Sequence, residues 1–256
     1  MDNSVKLLTL NLRHDADRWP ERLPLIIDQV RKENPEVIAF QEVALAIDQA
    51  NIIASELNRA DSGQIYQVLV EPKYGPEPKE GIAFLSRLKV VKHQRIDLPG
   101  EGDRVAQYIR VSKDSQLFDI VNTHLHHKPK DLETIRLEQV KRILNWMFDR
   151  QTGEFHWLLV GDLNATPSSE TIKEVMKKLA SAYSAVNNVE PDFTFPTPLV
   201  SEPTDWHVPR TIDYVFFDAS IFQASEARLV FTESHREDST LYPSDHFGLV
   251  VKISKR

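Results

Sequence analysis

Short runs that are apolar at nearly every position constrain this chain more than any other feature. Val37-Ile38-Ala39-Phe40 is one, and Ile82 to Leu85, Val105 to Val111, Leu117 to Asn122, Trp157 to Val160, Ile212 to Phe217 and Phe247 to Ile253 repeat the pattern. A strand with one wet face alternates apolar and polar residues, so runs without that alternation call for cover on both faces. Helical patterns lie between them. From Pro20 to Glu33 the residues Leu23, Ile26, Ile27 and Val30 fall on one helical stripe, with Pro20 suited to the first turn. Val140, Ile143, Leu144 and Met147 make a second stripe; Ile172, Val175, Met176 and Leu179 make a third, with Thr166-Pro167 as cap and first-turn pair. The pattern suits sheets packed face to face with helices outside. Asn187 to Arg210, rich in Pro, Thr and Phe, reads as a long surface loop.

At 256 residues the expectation is one domain spanning 1–256, because sandwiches and α/β folds reach this length as single units. An apolar fraction of 41% and a charged fraction of 27% exclude disorder and allow a sizeable core. No run approaches the roughly 20 apolar residues of a membrane-spanning helix, and the opening Met-Asp-Asn-Ser-Val-Lys lacks the order of a secretory signal. A cytoplasmic monomer is expected. Cysteine is absent, which removes disulfides, thiolate nucleophiles and thiolate metal sites, and leaves oxygen and imidazole as ligands. The net charge of −7 disfavours a broad electrostatic grip on nucleic acid while allowing a local basic cleft.

Four strand-like segments end in residues of little structural use: Leu8-Thr9-Leu10-Asn11, Ala39-Phe40-Gln41-Glu42, Val121-Asn122-Thr123-His124 and Leu159-Val160-Gly161-Asp162-Leu163-Asn164. Ile212-Asp213-Tyr214 and Ser244-Asp245-His246 follow near the C-terminus. Singly, an Asp or Asn at a strand end is most often a turn former or cap. Together they are an inventory of hard oxygen ligands and imidazole acid/base groups, the set that metal-assisted phosphoryl chemistry requires.

The ordered series from Asn11 to Ser244-Asp245-His246 resembles the signature of the endonuclease/exonuclease/phosphatase superfamily, which includes deoxyribonuclease I-like enzymes, abasic-site endonucleases, deadenylases, neutral sphingomyelinases and inositol-polyphosphate phosphatases. The resemblance runs from residue 7 to about residue 253. It implies an α/β fold, a four-layer sandwich of two stacked mixed β-sheets flanked by helices. It also implies a phosphoesterase acting on a metal-bound phosphate. Glu42, with Asn11, would hold Mg²⁺, or Mn²⁺ or Ca²⁺ in its place, and Asp245 would support the metal directly or through water. Asp162 would deprotonate the attacking water, with Asn164 steadying that water or a phosphate oxygen. His246 would donate to the phosphoryl oxygens, oriented and kept cationic by Asp213, and His124 would be a second donor. How Asp162 and His246 share the base role is disputed within the family.

The chain departs from parts of the pattern. Some relatives carry an acidic residue two positions after the first Asn; here Arg13 stands there, free to meet an anion. Pro209-Arg210-Thr211-Ile212-Asp213 replaces the Trp-containing motif of the inositol phosphatases, which marks that substrate class down. Asp17-Arg18-Trp19 with Arg22 resembles a bacterial subgroup of unassigned substrates, although packing of the first helix is the favoured role for Trp19 and Arg22. Candidate substrate contacts are Arg13, Lys128 and Arg136, with His126, His127 and Lys130 nearby; Arg136 with Gln139 also suits a structural role. Phe193, Phe195 and Trp206 suit stacking on a base, contact with lipid, or packing. The expected substrate is a phosphate ester that is small or locally bound. Nuclease, sphingomyelinase-like and small-phosphoester activities stay open, as does a catalytically silent binding module.

Overall fold

The computed structural model describes residues 3–14, 17–60, 65–127, 133–149, 155–200 and 207–256. Lys128, Lys130 and Trp206 lie outside the described residues. The first half of the chain contributes β1 (Ser4–Asn11), α1 (Trp19–Glu33), β2 (Val37–Ala44), α2 (Gln49–Ala60), β3 (Gln67–Pro72), β4 (Glu80–Ser86), β5 (Lys89–Asp97), β6 (Val105–Lys113) and β7 (Gln116–His124). The second half contributes α3 (Glu133–Phe148), β8 (Trp157–Asp162), α4 (Glu170–Met176), β9 (Ala180–Ser181), α5 (Ala182–Asn187), β10 (Asp213–Phe217), β11 (Phe222–Val230) and β12 (Gly248–Lys255). The strands form two six-stranded mixed sheets, ordered β11-β12-β1-β2-β4-β3 and β5-β6-β7-β8-β10-β9. Each has one parallel pair near its middle, β1 with β2 and β7 with β8.

The runs without alternation are explained by where successive side chains go. In β1, Val5 and Leu7 face the second sheet, while Leu8 and Leu10 face α1 and α2. In β8, Leu158 and Val160 face the first sheet, while Trp157 and Leu159 face α3 and α4. Both faces of each central strand are therefore dry, and three apolar layers alternate with the sheets as in a four-layer sandwich. Full burial of a Leu or Phe side chain stabilises by about 1.5–3 kcal/mol. A register slip by one residue would exchange inner and outer sets, so the pairing is strongly specified.

Helix α1 begins one residue before Pro20 and buries Ile26, Ile27 and Val30 as the stripe requires. Trp19 and Arg22 pack at its start. The Arg22 guanidinium lies 5.5 Å from the Trp19 ring centroid and donates to the carbonyls of Leu12, Arg13, Asp17 and Pro243. Two expectations need correction. Helix α4 is capped by Ser169, whose Oγ accepts from Ile172 N at 3.2 Å, and not by Thr166; it ends at Met176, which is exposed. The supposed surface loop after Asn187 is buried in its middle, through Thr194, Phe195, Thr197 and Leu199. No helix among the described residues is long and apolar enough to cross a membrane.

Candidate active site

The inward-facing stripe of each central strand is apolar for most of its length and becomes polar at one end. Val5 and Leu7 lead to Thr9 and Asn11; Val37 and Ala39 lead to Gln41; Phe118 and Ile120 lead to Asn122 and His124; Leu158 and Val160 lead to Asp162; Phe217 and Val215 lead to Asp213. All are buried. Strand register sets His124 beside Asp162 and Asp162 beside Asp213. The change from apolar to polar is sealed by Gln41, whose Nε2 donates to Asn122 Oδ1 at 2.8 Å, joining the sheets under the cleft. Asn122 Nδ2 in turn donates to the carbonyls of Phe40 and Ala83.

Strict alternation would send Glu42 outward with Phe40. Instead the β2–β4 register shifts by one residue between Phe40 and Val43, and Glu42 sits at φ 49°. This bulge re-aims the carboxylate into the cleft, at the cost of a left-handed conformation that non-glycine residues rarely take. Glu42 Oε2 accepts from His14 Nδ1 at 2.8 Å, and Oε1 lies 3.7 Å from His124 Nε2. Burial alone would raise its pKa, but the hydrogen bond from His14 and the neighbouring positive charge hold it well below the usual carboxylate range.

Asp162 can reach its position because Gly161 precedes it. With φ 136°, a Cβ there would lie 2.0 Å from the Thr123 carbonyl oxygen, so only glycine lets β8 approach β7 so closely. Both carboxylate oxygens of Asp162 are fixed. Oδ1 accepts from Asn164 N at 2.8 Å and Oδ2 from Asn11 Nδ2 at 3.0 Å. Burial, then the charge of Asp213, pushes Asp162 up to about 7, against the lowering effect of His246. Asn164 turns its amide away, Nδ2 donating to the Leu125 carbonyl at 3.2 Å.

His246 donates from Nδ1 to Asp213 Oδ2 at 2.9 Å, and its Nε2 lies 3.9 Å from Asp162 Oδ2. Burial opposes its charge, but Asp213, with smaller contributions from Asp245 and Asp162, raises its pKa to about 10. Asp213 Oδ2 also accepts from Thr194 Oγ1 at 2.6 Å, and Thr194 Oγ1 receives the backbone N–H groups of Ile212 and Asp213. The Phe195 ring lies 4.8 Å from the imidazole. Ser244 Oγ donates to the Asn11 carbonyl at 2.6 Å, tying the C-terminal loop to β1.

The structure brings Asn11, Glu42, His124, Asp162, Asp213 and His246 to one cleft and sets the remaining candidates in other contacts. Asp245 is engaged by Arg13 at 2.8 Å, and Arg13 also meets Asp17 at 2.9 Å. Arg136, in α3, is buried and donates to the His126 carbonyl and to Glu133. Phe193 packs on Phe247, their ring centroids 5.4 Å apart. Four residues that sequence reasoning passed over stand at the cleft: His14, Thr194, Arg104 and Lys73. Arg104 is buried beside His124, and Lys73 pairs with Glu80 and is brought down to about 8 by burial and by Arg104.

A model of the Endonuclease/Exonuclease/phosphatase family matches residues 8–246. The chain belongs to that family. Membership supports a metal-dependent phosphoesterase or nuclease. Nocturnin of Rattus norvegicus is 26% identical over 264 residues, covering 94% of this chain and 60% of that relative. The chain thus spans less than two thirds of that protein's length. The human Nocturnin catalytic domain with bound sulfate anion superposes with a TM-score of 0.77 at 24% identity, over 100% of this chain and 96% of that one. D. rerio TDP2 complexed with single strand DNA product gives a TM-score of 0.78 at 18% identity, over 99% of this chain and 100% of that one. Both likenesses bear out the two stacked mixed sheets with flanking helices, and the family bears out the resemblance read from the motifs.

Proposed function

We propose that the protein is a divalent-metal-dependent phosphoester hydrolase whose attacking water is activated by Asp162. The observation that carries this reading is the meeting of Asp162 and His246 across 3.9 Å of one cleft, with burial pushing the carboxylate upward and Asp213, bonded to Nδ1, keeping the imidazole charged. A base near the working pH and an acid that stays charged above it are the two groups that water attack on a phosphate needs. Asp162 takes the water proton while Asn11 and Asn164 hold its two oxygens in place. His246, oriented by Asp213, and His124 donate to the phosphoryl oxygens as negative charge grows.

Among the described residues, three side-chain groups bring potential ligand atoms within 4.8 Å of one another: His14 with Glu42 and Glu80, Glu42 with His124 and Asp162, and Asp162 with Asp213 and His246. In the third group His246 and Asp213 are bonded to each other, and in the first Glu80 is bound to Lys73. The second group holds the half-buried Glu42 carboxylate, and its strand-end neighbour Asn11 adds an amide oxygen. These are hard donors of the kind that suit Mg²⁺ or Mn²⁺. Asp245 would support the ion through water. A bound divalent cation there supplies charge neutralisation to a phosphate oxygen.

Hydrolysis of generic phosphodiesters, sphingomyelin and nucleic acids, with Mg²⁺ and with a chelator, tests the reading. We expect turnover only with the metal, and Mg²⁺ affinity at least about tenfold lower in Glu42→Ala by calorimetry. Metal-independent hydrolysis, or undiminished affinity in that variant, refutes the assignment.

The substrate is proposed to present one or two phosphates, as a small phosphodiester, a lipid headgroup or a nucleic-acid end does. Arg13 is held by two aspartates, Arg136 faces a glutamate and a backbone carbonyl, and the chain carries a net charge of −7. Among the described residues of the cleft, few cations remain to track a duplex. Binding of long duplex DNA to Asp162→Asn should therefore fall with salt on a log–log slope shallower than roughly −2, and a slope near −5 would move the enzyme among the duplex nucleases.

A further inference from the structure

Arg104 stands just before β6, 2% exposed, and makes no ion pair with a carboxylate within 4.0 Å among the described residues. Its guanidinium is instead shared between two imidazoles. Nη1 meets His124 Nδ1 at 2.6 Å and Nη2 meets His127 Nδ1 at 3.0 Å. A guanidinium can only donate, so both Nδ1 atoms must accept, and an accepting Nδ1 carries no proton. The single ring proton of each imidazole is then on Nε2.

For His124 this choice has consequences at the cleft. Nε2 is buried, has no hydrogen-bond partner, and lies 3.5 Å from Asp162 Oδ2 and 3.7 Å from Glu42 Oε1. With the proton on Nδ1, an N–H would face the Arg104 N–H groups while a bare Nε2 lone pair faced two carboxylates. Both contacts would be repulsive. With the proton on Nε2, both are attractive, and the atom aimed between Glu42 and Asp162 is a donor. A protonated Nε2 also offers no lone pair to a metal, which leaves the hard oxygens of Glu42 and Asn11 as its ligands.

We propose that Arg104 is a positioning residue that fixes His124 as an Nε2–H donor aimed at a phosphoryl oxygen and holds His127 in the same tautomer at the rim. The donor role of His124 rests on the phosphoesterase reading above; the tautomer does not. Arg104 touches no reacting atom. It determines which ring nitrogen is presented and keeps that nitrogen from turning, the second contact in a chain from guanidinium to imidazole to substrate.

Long-range ¹H–¹⁵N correlation spectra of the folded protein, with and without Mg²⁺, read the tautomer directly. In the wild type the His124 Nδ1 resonance should be that of a bare nitrogen and Nε2 that of an N–H. Arg104→Lys, which still only donates, should keep this pattern. Arg104→Gln can accept through its amide oxygen, so it should admit the Nδ1–H form. With bis(4-nitrophenyl) phosphate and Mg²⁺, Arg104→Gln should lose about 10²-fold in kcat with a smaller change in KM, the size expected for one pre-organised donor, and Arg104→Lys should recover part of it. A wild-type spectrum with the proton on Nδ1 of His124 overturns the proposal even if Arg104→Gln does not fold. Equal losses in the two variants with the tautomer unchanged overturn it as well. An enzyme inactive toward every phosphoester, but with the expected spectra, would sink the phosphoesterase reading and leave the tautomer assignment standing.

Discussion

Asp162→Asn should lower turnover by about 10²–10⁴-fold, the usual worth of a positioned general base, while making the metal-free protein more stable at pH 8. The two effects come from one cause. Asp162 is held near 7 chiefly because burial disfavours its charge, with Asp213 adding repulsion. In the unfolded chain the same carboxyl titrates near 3.9. Its folded pKa is therefore the higher one, and between about pH 4 and 7 the folded state keeps a proton that the unfolded state releases. Stability contributed by Asp162 is present below this window and lost as pH rises through it, amounting to a few kcal/mol at about 1.4 kcal/mol per unit. An asparagine carries no charge to bury. It does give up one acceptor oxygen, which leaves either Asn164 N or Asn11 Nδ2 poorly matched and costs about 1–3 kcal/mol. The net gain should thus appear at pH 8 and vanish near pH 5. Melting temperatures at the two pH values, beside turnover with a substrate on which chemistry is limiting, check both halves. If the variant keeps more than half of the parent rate, Asp162 is not the base; if it is destabilised equally at both pH values, the residue is structural.

The sequence carried much of this site because the fold uses side-chain alternation twice. Runs buried on both faces announced stacked sheets, and the same period of two carried Asn11, His124, Asp162 and Asp213 inward at the strand ends. The Glu42 bulge left no such trace. Val-Ile-Ala-Phe-Gln-Glu-Val-Ala contains no glycine or asparagine to mark a left-handed residue, and strict alternation places Glu42 on the wrong face. Arg104 was invisible for a different reason. A single arginine before an apolar run ordinarily reads as an exposed strand end, and its burial depends on two imidazoles about 20 positions away. Thr194 and Phe195 lie in a stretch whose Pro and Thr content suggests a surface loop, yet they buttress Asp213 and His246. β5 and β11 were missed because both are edge strands, β5 without a buried side chain and β11 with its buried residues Phe222, Ala227 and Val230 at irregular spacing, and pairing forms them more than local pattern does. Helix α4 ends at Met176, which is exposed, while Leu179 beyond the helix end still packs in the core with Ile172 and Val175.

Asp213→Asn and His246→Gln should each lower turnover by about 10²–10³-fold, and the double variant should be little worse than the poorer single one. The loss expected for either is that of one pre-organised donor. They should not multiply because Asp213 acts through His246. Its Oδ2 accepts the Nδ1 proton at 2.9 Å, and Thr194 fixes that oxygen from the other side at 2.6 Å. Without the imidazole the carboxylate has nothing to orient, and without the carboxylate the imidazole loses both its orientation and its charge. Residues that work as a unit are non-additive in this sense. The sign of the pH effect follows from the same contact. His246 is raised from 6.5 to about 10, so its charged form, and the stability it contributes, are complete below the unfolded pKa and lost as pH rises toward 10. The alkaline limb of kcat should accordingly lie near 10 in the parent and shift toward neutrality in Asp213→Asn, where an amide accepts the N–H without stabilising the cation. Rate profiles from pH 5 to about 10.5 on the parent, both single variants and the double variant supply the whole cycle. Fully multiplicative losses, or an alkaline limb that stays in place when Asp213 is neutralised, would show that the two residues act independently and that His246 owes its charge to other groups in the cleft.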